Sequence, residues 1–470
     1  MKNFILLCVL ITPSFLLSAQ QADNWYFGVF AGLNFSTSAP VVLTDGQVNT
    51  PEGCAAVSDT AGSLLFYTDG ITVWNNQHLP MPNGTGLLAG SSCTQAALIA
   101  MQPGSSSLYY VFTLDEIGGP FGFRYSIVDM SLQSGLGDVI EKNILIQNSL
   151  TEKLTAVTTY DNSKIWIVTH DWGSNGFYAY QLTVNGFEMN PVISNSGIVH
   201  TTTAIQNTYG QMKFAGCGGR LALAAGYLDT IELFDFNLTT GTISNPMTIP
   251  MEDHVYGLEF SPDDSKLYVT CYNPLGTLVQ FDLTQGNVEA IINSATMLSN
   301  TEDLYGLQLA PDGKIYVVKS YSPNLAVINE PNVAGNDCNF VENGINLDPT
   351  YSGVSAALGL PNFVQSYFDY AHKGCTFPTA TSEIKTTAEI HFFPNPATGY
   401  VSFSTTALKG KPVEIYVSDL AGKSCIHYKM DTYDESISID LSTVQEGIYI
   451  IRVNQGEMVI AREMLVNTRP

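Results

Sequence analysis

The residues of this chain that could do chemistry are few and scattered. His170-Asp171-Trp172 sets an imidazole beside a carboxylate, a pair able to move protons in general acid–base catalysis. It follows an apolar run from Lys164 to Thr169 that reads as a strand, where adjacent side chains point to opposite faces. Such neighbours do not form a dyad, and no serine or cysteine elbow lies nearby, so structural roles are the stronger reading for both. His78, His200 and His254 stand singly, each in a different repeat of the pattern described below. A metal site would need them to converge, and no histidine recurs at equivalent repeat positions, so no metal is expected. Gly84-Thr85-Gly86 lacks the lysine and helix of a phosphate loop, which excludes a nucleotide. No residue qualifies as catalytic and no cofactor is expected.

Seven cysteines lie beyond the N-terminal apolar run: Cys54, Cys93, Cys217, Cys271, Cys338, Cys375 and Cys425. None form a Cys-x-x-Cys pair and no histidine-rich spacing accompanies them, so zinc is not expected. In an exported chain they are expected to pair. Cys338 and Cys375 flank the last part of the large region, where a bridge would fasten its end, and Cys54 with Cys93 is a second candidate pair. The odd count leaves at least one thiol free, and the isolated Cys425 suits a buried packing role.

The elements that must carry these residues are strands. A chain of 470 residues exceeds what one hydrophobic core usually serves, so two or more domains are expected. With 19 basic against 43 acidic residues the net charge is −24, a surface that repels nucleic acid and anionic lipid. Ser261-Pro262-Asp263-Asp264-Ser265-Lys266-Leu267-Tyr268-Val269 recurs as Ala310-Pro311-Asp312-Gly313-Lys314-Ile315-Tyr316-Val317. The two are preceded by Tyr256-Gly257-Leu258-Glu259-Phe260 and Tyr305-Gly306-Leu307-Gln308-Leu309. Looser copies lie at 59–67, 102–111, 160–168 and 217–223. Asp, Asn, Gly and Pro supply a tight turn, and alternating aliphatic and aromatic residues build the strand after it. Asp59, Asp161, Asp263 and Asp312 therefore read as turn residues bonding backbone. The marker positions Phe66, Tyr109, Trp166, Ala222, Tyr268 and Tyr316 lie a mean of 50 residues apart, and one more step reaches Tyr367.

Seven units of that length, without long helical periodicity, predict an all-β chain: a seven-bladed β-propeller over residues 24–371. The early strand Trp25-Tyr26-Phe27-Gly28 is expected to pair with the last blade and close the ring, since an unpaired edge is a liability. The turn-strand pattern resembles YVTN- and WD40-like propellers, without the Trp-Asp dipeptide of the latter. The stretch from Glu52 to Asp59, with Leu65 to Asn75, resembles a group of exported Bacteroidetes proteins. A Thr/Ser/Pro-rich linker is expected at 372–387.

Both ends read as addresses. Met1-Lys2-Asn3, a short apolar run and Leu17-Ser18-Ala19 have the form of a secretory signal peptide at 1–19, cut after Ala19. At the other end the chain reads Phe393-Pro394-Asn395-Pro396, then Asp419-Leu420-Ala421-Gly422, then Gly447-Ile448-Tyr449, and closes on an apolar strand near Leu465. This resembles the type A C-terminal sorting domain of the type IX secretion system. The resemblance implies that residues 388–470 direct export to the exterior or the outer cell surface, through Pro394, Asn395, Pro396, Asp419, Gly422, Gly447 and Tyr449. Short alternating strands there predict a small immunoglobulin-like β-sandwich.

Two function classes fit. One is a surface or secreted binding and adhesion protein whose propeller loops recognise a glycan or protein. The other is an extracellular hydrolase or lyase acting on polysaccharide or peptide. The lack of any compact catalytic signature favours the first. The expected partners are the type IX machinery and an extracellular glycan or protein ligand, with nucleic acid and a transmembrane span excluded.

Overall fold

The computed structural model describes residues 20–272, 276–300, 304–368, 390, 392–405, 408–419, 424–434, 436–455 and 458–468. It divides the chain into two compact units, Met1–Cys375 and Thr376–Pro470. The expected signal peptide with its cut after Ala19, the linker, Cys375 and Gly422 lie outside the described residues.

The first unit is built from successive antiparallel sheets. A three-stranded sheet comes first: Asn24–Phe27, Ala31–Asn34 and Val41–Leu43. Six four-stranded sheets follow, each paired in chain order like a meander. Their first strands are Ala55–Ser58, Ala97–Met101, Leu150–Thr158, Met212–Phe214, Val255–Phe260 and Leu304–Leu309. Their second strands are Leu64–Thr68, Leu108–Leu114, Lys164–Asp171, Arg220–Ala225, Lys266–Cys271 and Ile315–Lys319.

The repeat is the reason for this regularity. Phe66, Tyr109, Trp166, Ala222, Tyr268 and Tyr316 fall on the six second strands, each buried against a neighbouring sheet. In the turns before them, Asp59, Asp161, Asp263 and Asp312 accept the backbone N–H two residues on, from Ala61, Ser163, Ser265 and Lys314. That local bond holds the turn closed. Each hairpin also needs a left-handed residue; Gly62, Gly104, Asn162, Gly218, Asp264 and Gly313 supply it, with φ between 53° and 82°.

First strands pack on first strands in sequence, and Trp25 of the first sheet meets Tyr316 of the last at a ring-centroid distance of 5.7 Å. The arrangement is propeller-like.

Two expectations are corrected here. The seventh copy of the repeat is not at Tyr367, because Gln365–Phe368 is a 3-10 turn. Trp25–Phe27 does not complete the last sheet, since it heads its own sheet and pairs with Ala31–Leu33. Closure comes from residues 354–368, which run through the axial space. Ser355 bridges Val29, Pro361 bridges Cys54 and Val364 bridges Ala156. Leu358 accepts from Gly306 N and donates to Pro51 O, while Asn362 donates to Cys54 O and, through Nδ2, to Leu154 O. Sheets remote from each other in sequence are thereby tied through one segment.

Neither candidate bridge is supported. Cys338 is a buried free thiol beside the Tyr268 hydroxyl. Cys54 and Cys93 are also free; Gly53 N donates to Cys93 O, yet their side chains enter two different core clusters. Cys425 is exposed, not packed.

Among its described residues the second unit has six strands. Tyr400–Ser404 pairs with Ser436–Asp440, and a four-stranded sheet runs Ser424–Met430, Val413–Asp419, Gly447–Gln455, Met458–Asn467. Val401, Phe403 and Ile439 from one sheet and Ile415, Val417, Ile451 and Leu465 from the other form one core.

Candidate functional site

The first strands carry polar residues where an apolar strand is expected, and these fill the axis. Lys213, Glu259 and Gln308 occupy one register position in three successive sheets, paired with Ala222, Tyr268 and Tyr316. Lys213 Nζ lies 3.2 Å from Glu259 Oε2 and donates to Gln308 Oε1. Both ionic side chains are 1% exposed. Burial pushes the Lys213 amine down and the Glu259 carboxyl up, each opposed by the other's charge. Leu309 N and Phe260 N donate to the two Glu259 oxygens, so the carboxyl is fully bonded.

Bulges explain the glutamines nearby. Register slips between Leu150 and Leu154, between Val255 and Leu258, and between Leu304 and Leu307. A bulge leaves backbone N–H groups without a ladder partner, and burial makes that costly. Gln95 Oε1 accepts from Leu154 N and Met212 N, and Gln211 Oε1 accepts from Leu258 N and Leu307 N. The axis is therefore a bonded plug.

Chemistry remains at the mouth, where the first strands begin. Short 3-10 turns at Glu116–Gly118, Ile205–Thr208 and Gly226–Leu228 pack against one another around it. Glu152 takes four hydrogen bonds: Thr94 N and Oγ1 at 2.9 Å on one oxygen, Ile117 N and Thr208 Oγ1 on the other. Ser92 N donates to Glu116 at 2.6 Å and Ser92 Oγ to Glu52 Oε1 at 3.2 Å. Burial, then the charge of Glu152, pushes the Glu52 carboxyl up to about 8, so it is protonated at neutral pH. Its Oε2 faces the Tyr256 hydroxyl, which also lies beside Thr94.

Beside these acids lies a run of rings. Tyr227 stacks on His254 at 3.8 Å, His254 Nδ1 is 2.5 Å from Asp229 Oδ1, and Tyr272 stacks on Tyr305 at 5.9 Å. Tyr256 meets Tyr305 edge-on at 5.2 Å. Tyr227 is 38% exposed, which leaves its outer face open to a ligand.

Below the mouth sits a basic trio. Lys153 is fully buried and donates to the carbonyls of Thr208 at 2.9 Å and Tyr209 at 2.7 Å; burial lowers its amine to about 7. His170 and His200 lie 4.2 Å apart, with His170 Nδ1 and His200 Nε2 unpaired. Burial drives His170 to about 3 and His200 well below its ordinary value. Both are neutral when folded, whereas an unfolded histidine protonates near 6.5. Their contribution is thus present above about pH 6.5 and lost as pH falls through 6.5 toward 3. Glu52 works oppositely, since its raised value favours the folded state below its folded pKa. His170→Leu should therefore flatten the acid limb specifically, removing about 2 kcal/mol of the stability change between pH 6.5 and 5. Urea unfolding at both pH values checks this; an unchanged slope refutes it.

Of the histidines singled out in the sequence, His170 and His200 lie together among the described residues. Asp171 turns away and accepts from Ser174 Oγ at 2.6 Å. His78 bonds Tyr67 and faces Asp45 in the outer part of the second sheet. Glu52, Glu116, Glu152, Lys153, Tyr227 and Tyr272 were missed. Tyr256 and Tyr305 were visible in the repeat, but only as its opening residue. Among the described residues no group of three or more His, Cys, Asp or Glu is placed to hold a metal.

In the second unit Asn395 Oδ1 accepts from Val466 N and Ala397 N donates to Val466 O, so the Pro394-Asn395-Pro396 opening is bound to the last strand. Tyr449 pairs with Asp419 in register, next to Gly447 at the head of its strand, and its hydroxyl donates to Gln445 O.

Residues 391–467 match the family described as Secretion system C-terminal sorting domain. The tail is thus a type IX sorting domain, and the protein is secreted to the cell surface or extracellular space. No curated protein matches the chain. Its structural neighbours are propeller-like. A putative 6-phosphogluconolactonase from Bacteroides fragilis is 11% identical, covering 74% of this chain and 99% of its own at TM-score 0.45. A periplasmic gluconolactonase of Pseudomonas aeruginosa is 12% identical, covering 80% and 97% at 0.37. A β-propeller domain from Myceliophteria thermophila is 9% identical, covering 64% and 94% at 0.36.

Proposed function

We propose that this exported chain is a binding protein: a seven-bladed propeller recognises an extracellular ligand through its tyrosine-rimmed mouth, and an immunoglobulin-like sandwich serves export. The open Tyr227–His254 stack beside Tyr272 and Tyr305 carries this reading. Rigid aromatic faces give contact area at low entropic cost, which suits recognition. A glycoside hydrolase would use two carboxyl groups flanking the scissile bond. Here Glu152 is held by four hydrogen bonds, and Ser92 engages both Glu116 and Glu52. The sorting residues Pro394, Asn395, Pro396, Asp419, Gly422, Gly447 and Tyr449 are assigned to presentation of the tail to the secretion machinery.

The test is the full-length protein on glycan and peptide arrays, beside Tyr227→Ala. Ligands retained by wild type should be lost or weakened about tenfold by the variant, a typical cost of removing an aromatic anchor. Hits that ignore the substitution would move the binding site elsewhere.

A further inference from the structure

We infer that the secretion machinery reads the tail through one outer face, on which Phe393 and Tyr400 stand exposed, and that the partner is a protein surface with an uncharged, apolar recess. This rests on the export role of the sorting domain and is independent of what the propeller binds.

Alternation along the strands builds the face. Tyr400–Ser404 sends Val401 and Phe403 into the core, so Tyr400, Ser402 and Ser404 point outward. Their register partners on Ser436–Asp440 are Asp440, Ser438 and Ser436, all three exposed. Phe393 joins the same side, because it exchanges both backbone hydrogen bonds with Ser402 at 2.8 Å, and directly paired residues share a face. Phe392 turns the other way and meets Phe403 in the core at a ring-centroid distance of 5.3 Å. Of two consecutive phenylalanines, one fills the core and the other faces water.

Phe393 is 55% exposed and Tyr400 53%, the highest values for large hydrophobic side chains among the described residues of this unit. Tyr400 lies two residues from Ser402, which makes it a diagonal neighbour of Phe393 at about 7–8 Å, within reach of aromatic side chains. Around the two rings these strands place serine hydroxyls and one carboxylate, Asp440, which accepts from Ser442 N at 2.8 Å. Aromatic anchors inside a small polar rim are the make-up of a protein-recognition hot spot.

The rest of the opening holds the rings in place. Asn395 Oδ1 accepts from Val466 N at 3.0 Å, Ala397 N donates to Val466 O at 2.7 Å, and Thr468 N returns to Ala397 O at 2.8 Å. Asn395 is therefore a positioning residue. Pro394 and Pro396 are exposed beside Phe393 and have no N–H, so this edge is poorly suited to taking an added strand and contact falls to side chains. The opening belongs to the residues matched as a sorting domain, which makes a protein of the secretion machinery the partner this face meets.

The full-length protein is expressed in a type IX host as wild type, as the tail-deleted chain, and with Phe393→Ser, Tyr400→Ser, Phe393→Tyr, Ser438→Arg or Ile448→Ser. Ile448, 45% exposed, belongs to the other sheet. Surface delivery is read by protease accessibility on intact cells, and folding by urea unfolding of the recovered protein. Phe393→Ser and Tyr400→Ser should each cut delivery about tenfold while folded protein collects in the periplasm. Phe393→Tyr keeps the ring and should be delivered, as should Ile448→Ser. Ser438→Arg puts a long cation in the middle of the face without entering the core, and should block delivery as strongly. It decides the matter if the serine variants do not accumulate.

Normal delivery of Ser438→Arg, or of both serine variants when folded, overturns the face. Equal loss in Ile448→Ser overturns it as well, since exposed apolar surface at large would then be what is read. The same substitutions in the tail fused to an unrelated signal-bearing protein test the partner. Loss of delivery there supports the machinery, whereas loss confined to the full chain assigns the rings to this chain's own propeller and refutes the proposal. A wild-type dimer in sedimentation that Phe393→Ser abolishes, with delivery intact, assigns them to a second copy and refutes it too. Normal delivery of the tail-deleted chain removes the export role itself, and this inference with it.

Discussion

Removing residues 391–467 leaves a folded protein that no longer reaches the cell exterior. The matched sorting domain spans those residues, and their strands bury a core of their own, built on Val401, Phe403, Ile415, Val417, Ile439 and Leu465. The first unit buries separate clusters, so its stability does not draw on that core. Protease treatment of intact cells should degrade the full-length protein and spare the truncated one, which should be recovered from the periplasm with an unchanged unfolding midpoint. The effect is expected to be all-or-none. Surface delivery of the truncated chain would show that export is addressed elsewhere. A truncated protein lost to degradation would show up as absence from every fraction, and fusing the tail to an unrelated signal-bearing protein then decides the matter. Arrival of that fusion outside the cell supports the assignment, and retention refutes it.

The second large effect is expected at the axis. Glu259→Leu leaves the Lys213 amine, 1% exposed, with Gln308 Oε1 as its remaining partner. It also strips Leu309 N of its acceptor. Removing one member of a buried ion pair typically costs about 3–5 kcal/mol, because the survivor stays desolvated without compensation. A loss of that size, read from urea unfolding, should be reduced by more than half when Lys213→Met is added, since an apolar pair in the same space carries no orphaned charge. A single substitution costing under about 1 kcal/mol would mean that the axis admits water or shifts to satisfy Lys213. If Glu259→Leu does not accumulate, Lys213→Met with Glu259→Leu still reports whether the pair, or the space it fills, is what the fold requires.

The sequence by itself determined the periodic part of this protein. Turn chemistry and alternating strands are local: Asp312 bonds Lys314 two residues away, Gly313 takes the left-handed φ, and Tyr316 follows on the strand. Local rules repeat wherever the residues repeat, so six markers landed on six second strands. The same holds for the tail, whose described strands follow from alternation and whose family is carried by contiguous motifs. Tertiary structure decided everything that depends on residues far apart in the chain. Ring closure by residues 354–368 was invisible because that segment obtains its partners from Val29, Cys54, Gly306 and Ala156, and it has no periodicity of its own. The two candidate cysteine pairs failed for the same reason, since sequence spacing does not say which core a thiol enters. The mouth was hidden most completely. Glu52, Glu116 and Glu152 resemble ordinary surface acids in the chain, and Tyr227, Tyr272 and Tyr305 resemble ordinary core tyrosines. Burial and mutual proximity, which only the packed sheets impose, give Glu52 its raised carboxyl, Glu152 its four hydrogen bonds and Tyr227 its open face.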